Sequence, residues 1–245
     1  MIKTRVLCAV AAGAVLPLAV TALPVHAAPS HVTVKKVASD FDGDGYGDLA
    51  IGAPGGMVSG KYQAGYVTVI RGSARGLVSD APVVLNQDND GLPGDAGASI
   101  GFGHALATGD FNADGFADLA VGSPYDGDGG TLTVFFGSAT GLGHPFRVAG
   151  YAGLGEAVTA ADMDGDGKPE IIATETVSTF GQIVRYTVAR GEYTLVKAGG
   201  PVRYGLSALA AGDINGDGFD DVVSLYNEVG GSNSFALFLG SPAGL

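Results

Sequence analysis

The sequence has almost no cysteine. Its one cysteine in 245 residues is Cys8, which lies in an amino-terminal segment that we predict to be removed. The remaining chain therefore cannot form a disulfide within itself. Tryptophan is absent, and the chain contains no Walker loop, zinc signature or CxxC motif. These absences exclude a disulfide-stapled fold and the common nucleotide, zinc and thiol-redox chemistries.

Positive charge is also scarce. Lysine and arginine number 13 against 25 aspartates and glutamates, which gives a formal net charge of −12. Nucleic acids and anionic membrane surfaces are bound by basic patches, so we expect neither as a partner.

The first 28 residues have the features of a secretory signal peptide. Lys3 and Arg5 precede an apolar run from 6 to 25, and small residues follow around Ala27 and Ala28. Two prolines interrupt the run, which disfavours a membrane anchor, and the two basic residues are not adjacent, so a twin-arginine signal is unsupported. We predict Sec-type secretion with cleavage near Ala27 or Ala28, an extracellular location and no membrane insertion afterwards.

Glycine and short acidic segments dominate the rest of the chain. Glycine occurs 42 times, well above its usual share of about 7%. One acidic segment occurs four times, as DFDGDGYGDLAIG from Asp40, DFNADGFADLAVG from Asp110, DMDGDGKPEIIAT from Asp162 and DINGDGFDDVVSL from Asp213. Successive copies begin 70, 52 and 51 residues apart, which identifies an internal repeat.

Alternating apolar segments that end in glycine turns lie between the acidic segments, as in LTVFFGSATGL and FALFLGSPAGL. Helical periodicity is absent beyond the signal, so each repeat is predicted to be β-structure of about four strands, the size of a propeller blade. We predict an all-β partial β-propeller at 29–245, with blades at about 31–90, 91–150, 151–200 and 201–245. The fourth repeat stops at the glycine turn, so we expect the last blade to be incomplete.

The repeats resemble the FG-GAP repeat of integrin-α-type β-propellers, which also occurs in many secreted bacterial proteins. The second repeat carries both halves of that motif, as GFG at 101–103 and GSP at 122–124, and the first keeps GAP at 52–54. The third and fourth repeats keep the acidic segment but lose the flanking motif. The resemblance covers almost all of the chain after the signal, and it implies a propeller fold without specifying an activity.

The acidic segments predict cation-binding loops. Positions 1, 3 and 5 are always Asp or Asn, position 6 is always Gly, and position 9 is always acidic. Alternating oxygen donors around a glycine turn, with a backbone carbonyl at position 7, suit Ca²⁺, which takes six or more oxygen ligands. We therefore predict up to four Ca²⁺ ions. The candidate ligands at positions 1, 3, 5, 7 and 9 are Asp40, Asp42, Asp44, Tyr46 and Asp48; Asp110, Asn112, Asp114, Phe116 and Asp118; Asp162, Asp164, Asp166, Lys168 and Glu170; and Asp213, Asn215, Asp217, Phe219 and Asp221.

Two other structures, an EF-hand and a simple acidic turn, use similar residues. An EF-hand needs a glutamate at position 12 and helical flanks, whereas position 12 here is Ile51, Val121, Ala173 or Ser224 and the flanks predict strands. Acidic residues and glycine also form simple turns, but four copies of the same five positions favour an ion site. A further acidic segment, Asn86 to Asp95, lacks an acid at position 9 and is predicted to be a loop, with a weak ion site as the alternative.

No group of residues predicts catalysis. GASIG at 97–101 matches the nucleophile-elbow pattern around Ser99, but that motif requires a following helix, and FGHALAT predicts a strand. His104 is predicted to be packed or hydrogen-bonded within that strand.

We therefore expect a secreted, calcium-binding, non-catalytic scaffold for adhesion or for binding an extracellular protein or glycan. The alternatives are the propeller part of a secreted hydrolase and a lectin-like glycan binder. Related FG-GAP propellers close with about seven blades, whereas four are visible here, so we expect an open array. Such an array would be either a fragment of a longer protein or a chain that pairs with another chain, or with itself, through its exposed blade edges. A compact closed ring of four blades is the alternative.

Overall fold

Four antiparallel sheets, one for each acidic loop, make up the fold. The computed structural model describes residues 39–88, 92, 96–177, 180–189, 192–203, 206–227 and 233–244. All of these residues belong to one compact unit, Lys36–Leu245.

Each sheet is formed by strands that follow one another along the chain, so every connection within a sheet is a hairpin or an acidic loop. The first sheet contains β1 (Leu49–Ala53), β2 (Tyr66–Arg71) and β3 (Val78–Leu85); the second contains β4 (Leu106–Gly109), β5 (Asp118–Ser123), β6 (Thr131–Phe136) and β7 (Gly143–Ala149); the third contains β8 (Val158–Ala161), β9 (Glu170–Val177), β10 (Phe180–Ala189) and β11 (Glu192–Arg203); and the fourth contains β12 (Leu206–Gly212), β13 (Asp221–Asn227) and β14 (Asn233–Phe238).

The acidic loops join the first two strands of the second, third and fourth sheets. In the first sheet the loop leads directly into β1, and residues 1–38 before it lie outside the described residues. Strands therefore lie on both sides of the second, third and fourth loops, whereas an EF-hand loop lies between helices.

The hydrophobic core is divided into layers between consecutive sheets. Phe41 of the first acidic loop and Val67 of the first sheet belong to the same cluster as Leu119 of the second sheet. A second cluster joins the second and third sheets, and a third cluster joins the third and fourth sheets around Met163 and Val222. Side chains alternate between the two faces of a strand, so a central sheet such as the second contributes to the layers on both sides. Its strand β5 is buried along its whole length.

The two halves of the FG-GAP motif meet at the boundary between sheets. A Cβ on Gly52 would lie 2.1 Å from the carbonyl oxygen of Gly103 in the next sheet, and a Cβ on Gly122 would lie 2.1 Å from that of Gly155. Only glycine permits backbones to approach this closely. At the corresponding position the third repeat has Thr174, whose hydroxyl oxygen instead accepts a hydrogen bond from the backbone N–H of Ala157 at 3.0 Å.

This architecture confirms the predicted all-β, partial β-propeller class. The first and fourth sheets each have three strands among the described residues, and the second and third have four. Strand β11 ends at Arg203, three residues beyond the predicted end of the third blade. The described residues include no helix of the length and hydrophobicity needed to span a bilayer.

Candidate metal centres

Each acidic loop is folded around its first aspartate. In the first loop, Asp40 Oδ1 accepts hydrogen bonds from the backbone N–H groups of Gly43 and Asp44, and Asp40 Oδ2 accepts one from Gly45 at 2.9 Å. Asp213 accepts the same three bonds in the fourth loop. Gly45 has φ +91°, a left-handed conformation that favours glycine and explains why position 6 is invariant.

The carboxylates converge most closely in the first and third loops. Oxygens of Asp40, Asp42 and Asp48 lie within 4.8 Å of one another, as do oxygens of Asp162, Asp164 and Asp166. These are the groups of three or more potential ligands found among the described residues. Their oxygens could hold a metal ion, and an all-oxygen donor set is the kind that Ca²⁺ prefers.

One oxygen in the third loop provides an independent test of fit. Asp162 Oδ1 is buried and has no hydrogen-bond partner among the described residues. Burial of a carboxylate oxygen without a partner is unfavourable. A cation in this loop would supply the missing interaction, so the residues fit a bound metal.

The second and fourth loops differ at position 3. Asn112 Nδ2 donates a hydrogen bond to Asp114 Oδ2 at 2.9 Å, and Asn215 Nδ2 donates one to Asp217 at the same distance. The Asn amide therefore replaces one negative charge and relieves repulsion within the loop.

The acids at position 9 also have a structural role that the sequence did not reveal. Asp118 Oδ2 accepts the backbone N–H of Phe111 and Oδ1 accepts that of Gly137, both at 2.8 Å. Asp48 and Asp221 make the same pair of bonds to their own loop and to the glycine turn of their own sheet. Each of these carboxylates is buried, and it ties the acidic loop to the glycine turn of the same sheet.

Burial raises the pKa of two acids at position 9. The pKa of Asp118 rises to about 6, mainly through desolvation, although the N–H groups of Gly137 and Phe111 oppose the shift. The pKa of Glu170 rises to about 7, again mainly through desolvation. A divalent ion beside either carboxylate would favour its ionised form.

An arginine accompanies the third loop. The Arg185 Nη1 atom lies 3.3 Å from Asp164 Oδ2 and 3.8 Å from Glu170 Oε2, and the side chain is nearly buried. Sequence analysis missed Arg185, because it is distant from the loop along the chain and approaches it only through the pairing of β9 with β10. In the first loop, Arg71 lies 3.9 Å from Asp42 but is exposed.

Two of the position-7 side chains pack against the preceding loop. Phe116 lies over Gly43, and Phe219 lies over Gly165. Tyr46 and Lys168 are exposed.

Ser99 and His104, the residues nearest to a catalytic pattern in the sequence, lie at the end of β4 opposite to the acidic loop. Ser99 and His104 line a cavity of about 220 Å³ together with Tyr125, and the His104 and Tyr125 rings meet edge to face with centroids 5.9 Å apart. His104 lies two residues before β4 rather than within the strand, and it is exposed. The strand β4 follows Ser99, whereas a nucleophile elbow requires a helix there.

The acidic segment Asn86 to Asp95 is only partly described. Asp88 Oδ1 accepts hydrogen bonds from the backbone N–H of Ala96 at 3.0 Å and from Lys61 Nζ at 3.4 Å. Residues 89–91 and 93–95 lie outside the described residues, and so does most of the alternative ion site proposed there.

Comparison of the sequence with known proteins finds similarity in the segments that contain the acidic loops. The FG-GAP repeat family matches residues 37–70 and 102–135, which contain the first two acidic loops. The chain is 36% identical to phosphatidylinositol-glycan-specific phospholipase D of Mus musculus over 162 residues, covering 62% of this chain and 19% of that protein. It is 31% identical to integrin alpha-7 of Homo sapiens over 149 residues, covering 58% of this chain and 12% of that protein.

The matched regions are small parts of much longer relatives, so the comparisons concern the repeats rather than the whole activity of either protein. The two matched segments each contain an acidic loop and the strands β1–β2 or β5–β6. The sequence repeats, the layered sheets and these matches agree: the chain contains FG-GAP repeats.

Proposed function

We propose that this chain is an extracellular scaffold that binds up to four Ca²⁺ ions in its acidic loops and presents its blades to a protein or glycan ligand. The observation that carries the calcium assignment is the orphaned Asp162 Oδ1, which lies in a three-carboxylate cluster. The fourfold repetition of the loop supports extending the assignment to all four repeats.

Electrostatics explains why the ion would contribute to folding. Carboxylates held within 4.8 Å of one another repel in the absence of a cation. An ion that binds only the folded state stabilises it by about 2.7 kcal/mol per site at 100-fold over its dissociation constant. Since no disulfide is available after the predicted signal, such ions would be a main source of added stability.

Thermal unfolding of the purified protein tests the calcium assignment. We expect a higher melting temperature in excess Ca²⁺ than in chelator, and calorimetric titration should give up to four bound ions. Asp42→Ala should abolish one site and leave the others, because every candidate ligand of a loop lies within nine consecutive residues. Equal melting temperatures in the two buffers would overturn the assignment.

The binding role is supported by the similarity to segments of integrin alpha-7 and of the phospholipase D. The predicted signal peptide supports secretion, which amino-terminal sequencing of the exported protein would test at Ala27 and Ala28. A glycan array and a panel of extracellular proteins would identify the ligand class. Turnover in a screen of esterase and phosphatase substrates would instead favour the hydrolase alternative.

A further inference from the structure

The acidic loops of neighbouring blades are joined by the same pair of backbone hydrogen bonds at two interfaces. We call this repeated set of contacts the inter-blade register. The backbone N–H of Ala117, at position 8 of the second loop, donates to the carbonyl of Asp40 at 3.0 Å, and Ser138 N–H donates to the carbonyl of Phe41 at 3.1 Å. The fourth loop repeats this arrangement on the third, where Asp220 and Ser241 donate to Asp162 and Met163, both at 2.9 Å. Position 8 and the turn serine of one blade therefore bind positions 1 and 2 of the blade before it.

At the same two interfaces, an aromatic ring of one blade also packs against a glycine of the blade before it. A Cβ on Gly43, at position 4, would lie 2.6 Å from Phe116 Cε1 of the next loop, and a Cβ on Gly165 would lie 2.7 Å from Phe219 Cε1. The glycine thus leaves the space that the ring at position 7 fills.

The interface between the second and third blades differs at each of these three loop positions. Ala113 and Lys168 replace the glycine and the aromatic residue, and Pro169 has no N–H to donate. Within this chain, the aromatic–glycine pair therefore occurs together with the position-8 hydrogen bond.

The first blade exposes one half of this interface. Tyr46 occupies position 7 and is 44% exposed. Among the described residues, the N–H groups of Gly47 and Ser73 have no acceptor, although they match Ala117 and Ser138. Leu49 and Ile51 are also exposed, whereas their counterparts Leu119 and Val121 are fully buried. We call the surface formed by Tyr46, Gly47, Leu49, Ile51 and Ser73 the leading face.

The fourth blade exposes the other half. Ile214, at position 2, is 59% exposed, whereas Phe41, Phe111 and Met163 at that position are at most 2% exposed. Gly216, at position 4, has nothing within 4 Å of its Cβ direction.

The carbonyl of Asp213 accepts no hydrogen bond among the described residues, and neither does that of Ile214. Phe235 and Leu237 pair with the strand residues that point away from the third blade, and both are exposed. We call the surface formed by Asp213, Ile214, Gly216, Phe235 and Leu237 the trailing face.

We propose that the trailing face of one chain binds the leading face of a second copy, with Tyr46 over Gly216 and with Gly47 and Ser73 donating to the carbonyls of Asp213 and Ile214. The two faces match each other in aromatic residue, glycine, donors, acceptors and apolar strand residues. This is the register that the chain already uses twice internally, so the intermolecular contact continues an interface of known geometry. Because the two faces are different, the contact is heterologous, and copies add head to tail until a ring closes or the array extends.

Two variants, each with one of the two faces disrupted, test whether the contact is head to tail. Tyr46→Ala removes the ring from the leading face, and Gly216→Asn fills the space on the trailing face, because asparagine tolerates the φ of +79° found at Gly216. Light scattering coupled to size-exclusion chromatography, in buffer with Ca²⁺, should show that the wild-type chain self-associates with a mass that rises with concentration. Each variant alone should associate at least about tenfold more weakly.

Mixing the two variants should restore binding. One variant keeps an intact trailing face and the other keeps an intact leading face, so the mixture should form complexes of two chains that grow no further. Tyr62→Ala is the matched aromatic control, since Tyr62 is exposed and its carbonyl bonds to the second blade. Gly141→Asn is the matched glycine control, with φ +91° and open space around it. Both controls should associate like the wild-type chain.

Three results would overturn the proposal. The wild-type chain could remain monomeric up to about 100 μM, which would leave the faces to a different partner. Tyr46→Ala and Gly216→Asn could associate as strongly as the wild type. The mixture could stay monomeric, which would exclude a head-to-tail contact. Gly216→Asn could also unfold at a lower temperature than Gly141→Asn. In that case Ile214→Lys, at an exposed position of the trailing face, takes its place in the same experiments.

Discussion

The position-9 carboxylates show how one residue serves both the fold and the candidate ion site. Both oxygens of Asp118 accept backbone N–H groups, one from its own loop and one from the turn after β6. The same carboxylate closes the sequence pattern of a cation-binding loop. An invariant acid at this position would therefore be expected even in a repeat whose loop holds no ion.

Asp118→Asn should destabilise the protein with or without calcium. Asparagine keeps one acceptor oxygen and turns an NH₂ group toward a backbone N–H, which leaves a buried donor without a partner at a cost of about 1–3 kcal/mol. Asp114→Asn is the matched control, because Asp114 is exposed and asparagine can still accept the N–H of Phe116. Denaturant unfolding at pH 7.5 in chelator should separate the two variants. Equal free energies of unfolding would show that the paired hydrogen bonds of Asp118 do not contribute.

The raised pKa values of Asp118 and Glu170 predict a pH dependence in the absence of calcium. Between the ordinary pKa of each acid and its folded-state value of about 6 or about 7, the folded protein holds a proton that the unfolded chain has released. These groups therefore favour folding most at low pH, and that contribution is lost as the pH rises through 6 and 7.

Ca²⁺ competes with these protons for the carboxylates. The increase in melting temperature on adding Ca²⁺ should thus be larger at pH 7.5 than at pH 5, and it should be measured at both values in otherwise identical buffers. An increase that is the same at both pH values would contradict the coupling between protonation and ion binding.

At the scale of the element, the loops and strands were largely predictable. The apolar runs before the glycine turns located β2, β6 and β14, because each of these strands contributes side chains to at least one core layer. The loop positions were predictable because their hydrogen bonds are local, spanning two to seven residues.

The features that the sequence did not reveal depend on contacts between elements. The second hydrogen bond of Asp118 reaches Gly137, 19 residues away, and Arg185 reaches Asp164 and Glu170 only through the register of two paired strands. Neither contact leaves a signal in the spacing of a single segment. The complementary faces at the two ends likewise depend on exposure, which differs between equivalent positions of the four blades.

Because Arg185 lies beside the third loop, we expect this loop to depend on calcium less than its number of carboxylates suggests. The guanidinium group already offsets part of the negative charge of Asp164 and Glu170. Arg185→Met should therefore lower the stability of the calcium-free protein, because Glu170 would lose its buried partner, and it should increase the stabilisation by Ca²⁺. Calorimetric titration and melting with and without Ca²⁺ would measure both effects.

Arg147→Met is the matched control for Arg185→Met. The Arg147 Nη2 atom lies 2.7 Å from Asp126 Oδ2, which belongs to the β5–β6 hairpin rather than to an acidic loop. Its loss should reduce stability without changing the calcium-induced increase in melting temperature. A similar calcium response in both variants would show that Arg185 does not influence the third loop.

At the scale of the whole molecule, the layered core makes the central blades more protected than the end blades. Strand β5 is buried along its length, whereas most of β3 is exposed, and β14 exposes Phe235 and Leu237. In repeat architectures stability arises from neighbouring units, so a terminal blade has one stabilising interface and a central blade has two.

Amide hydrogen exchange should therefore show a gradient along the array. At low protein concentration we expect the slowest exchange in β5, β6, β9 and the part of β10 that packs against them. Exchange should be faster in β3 and β14, because local opening needs less free energy where fewer contacts are lost.

Raising the protein concentration should slow exchange in β14 of the fourth blade and around Tyr46 to Ile51, which are the surfaces that head-to-tail association would cover. Tyr46→Ala should remove this concentration dependence while retaining the gradient. Uniform protection across all four blades in dilute solution would show that the sheets unfold as one cooperative unit rather than as neighbouring layers.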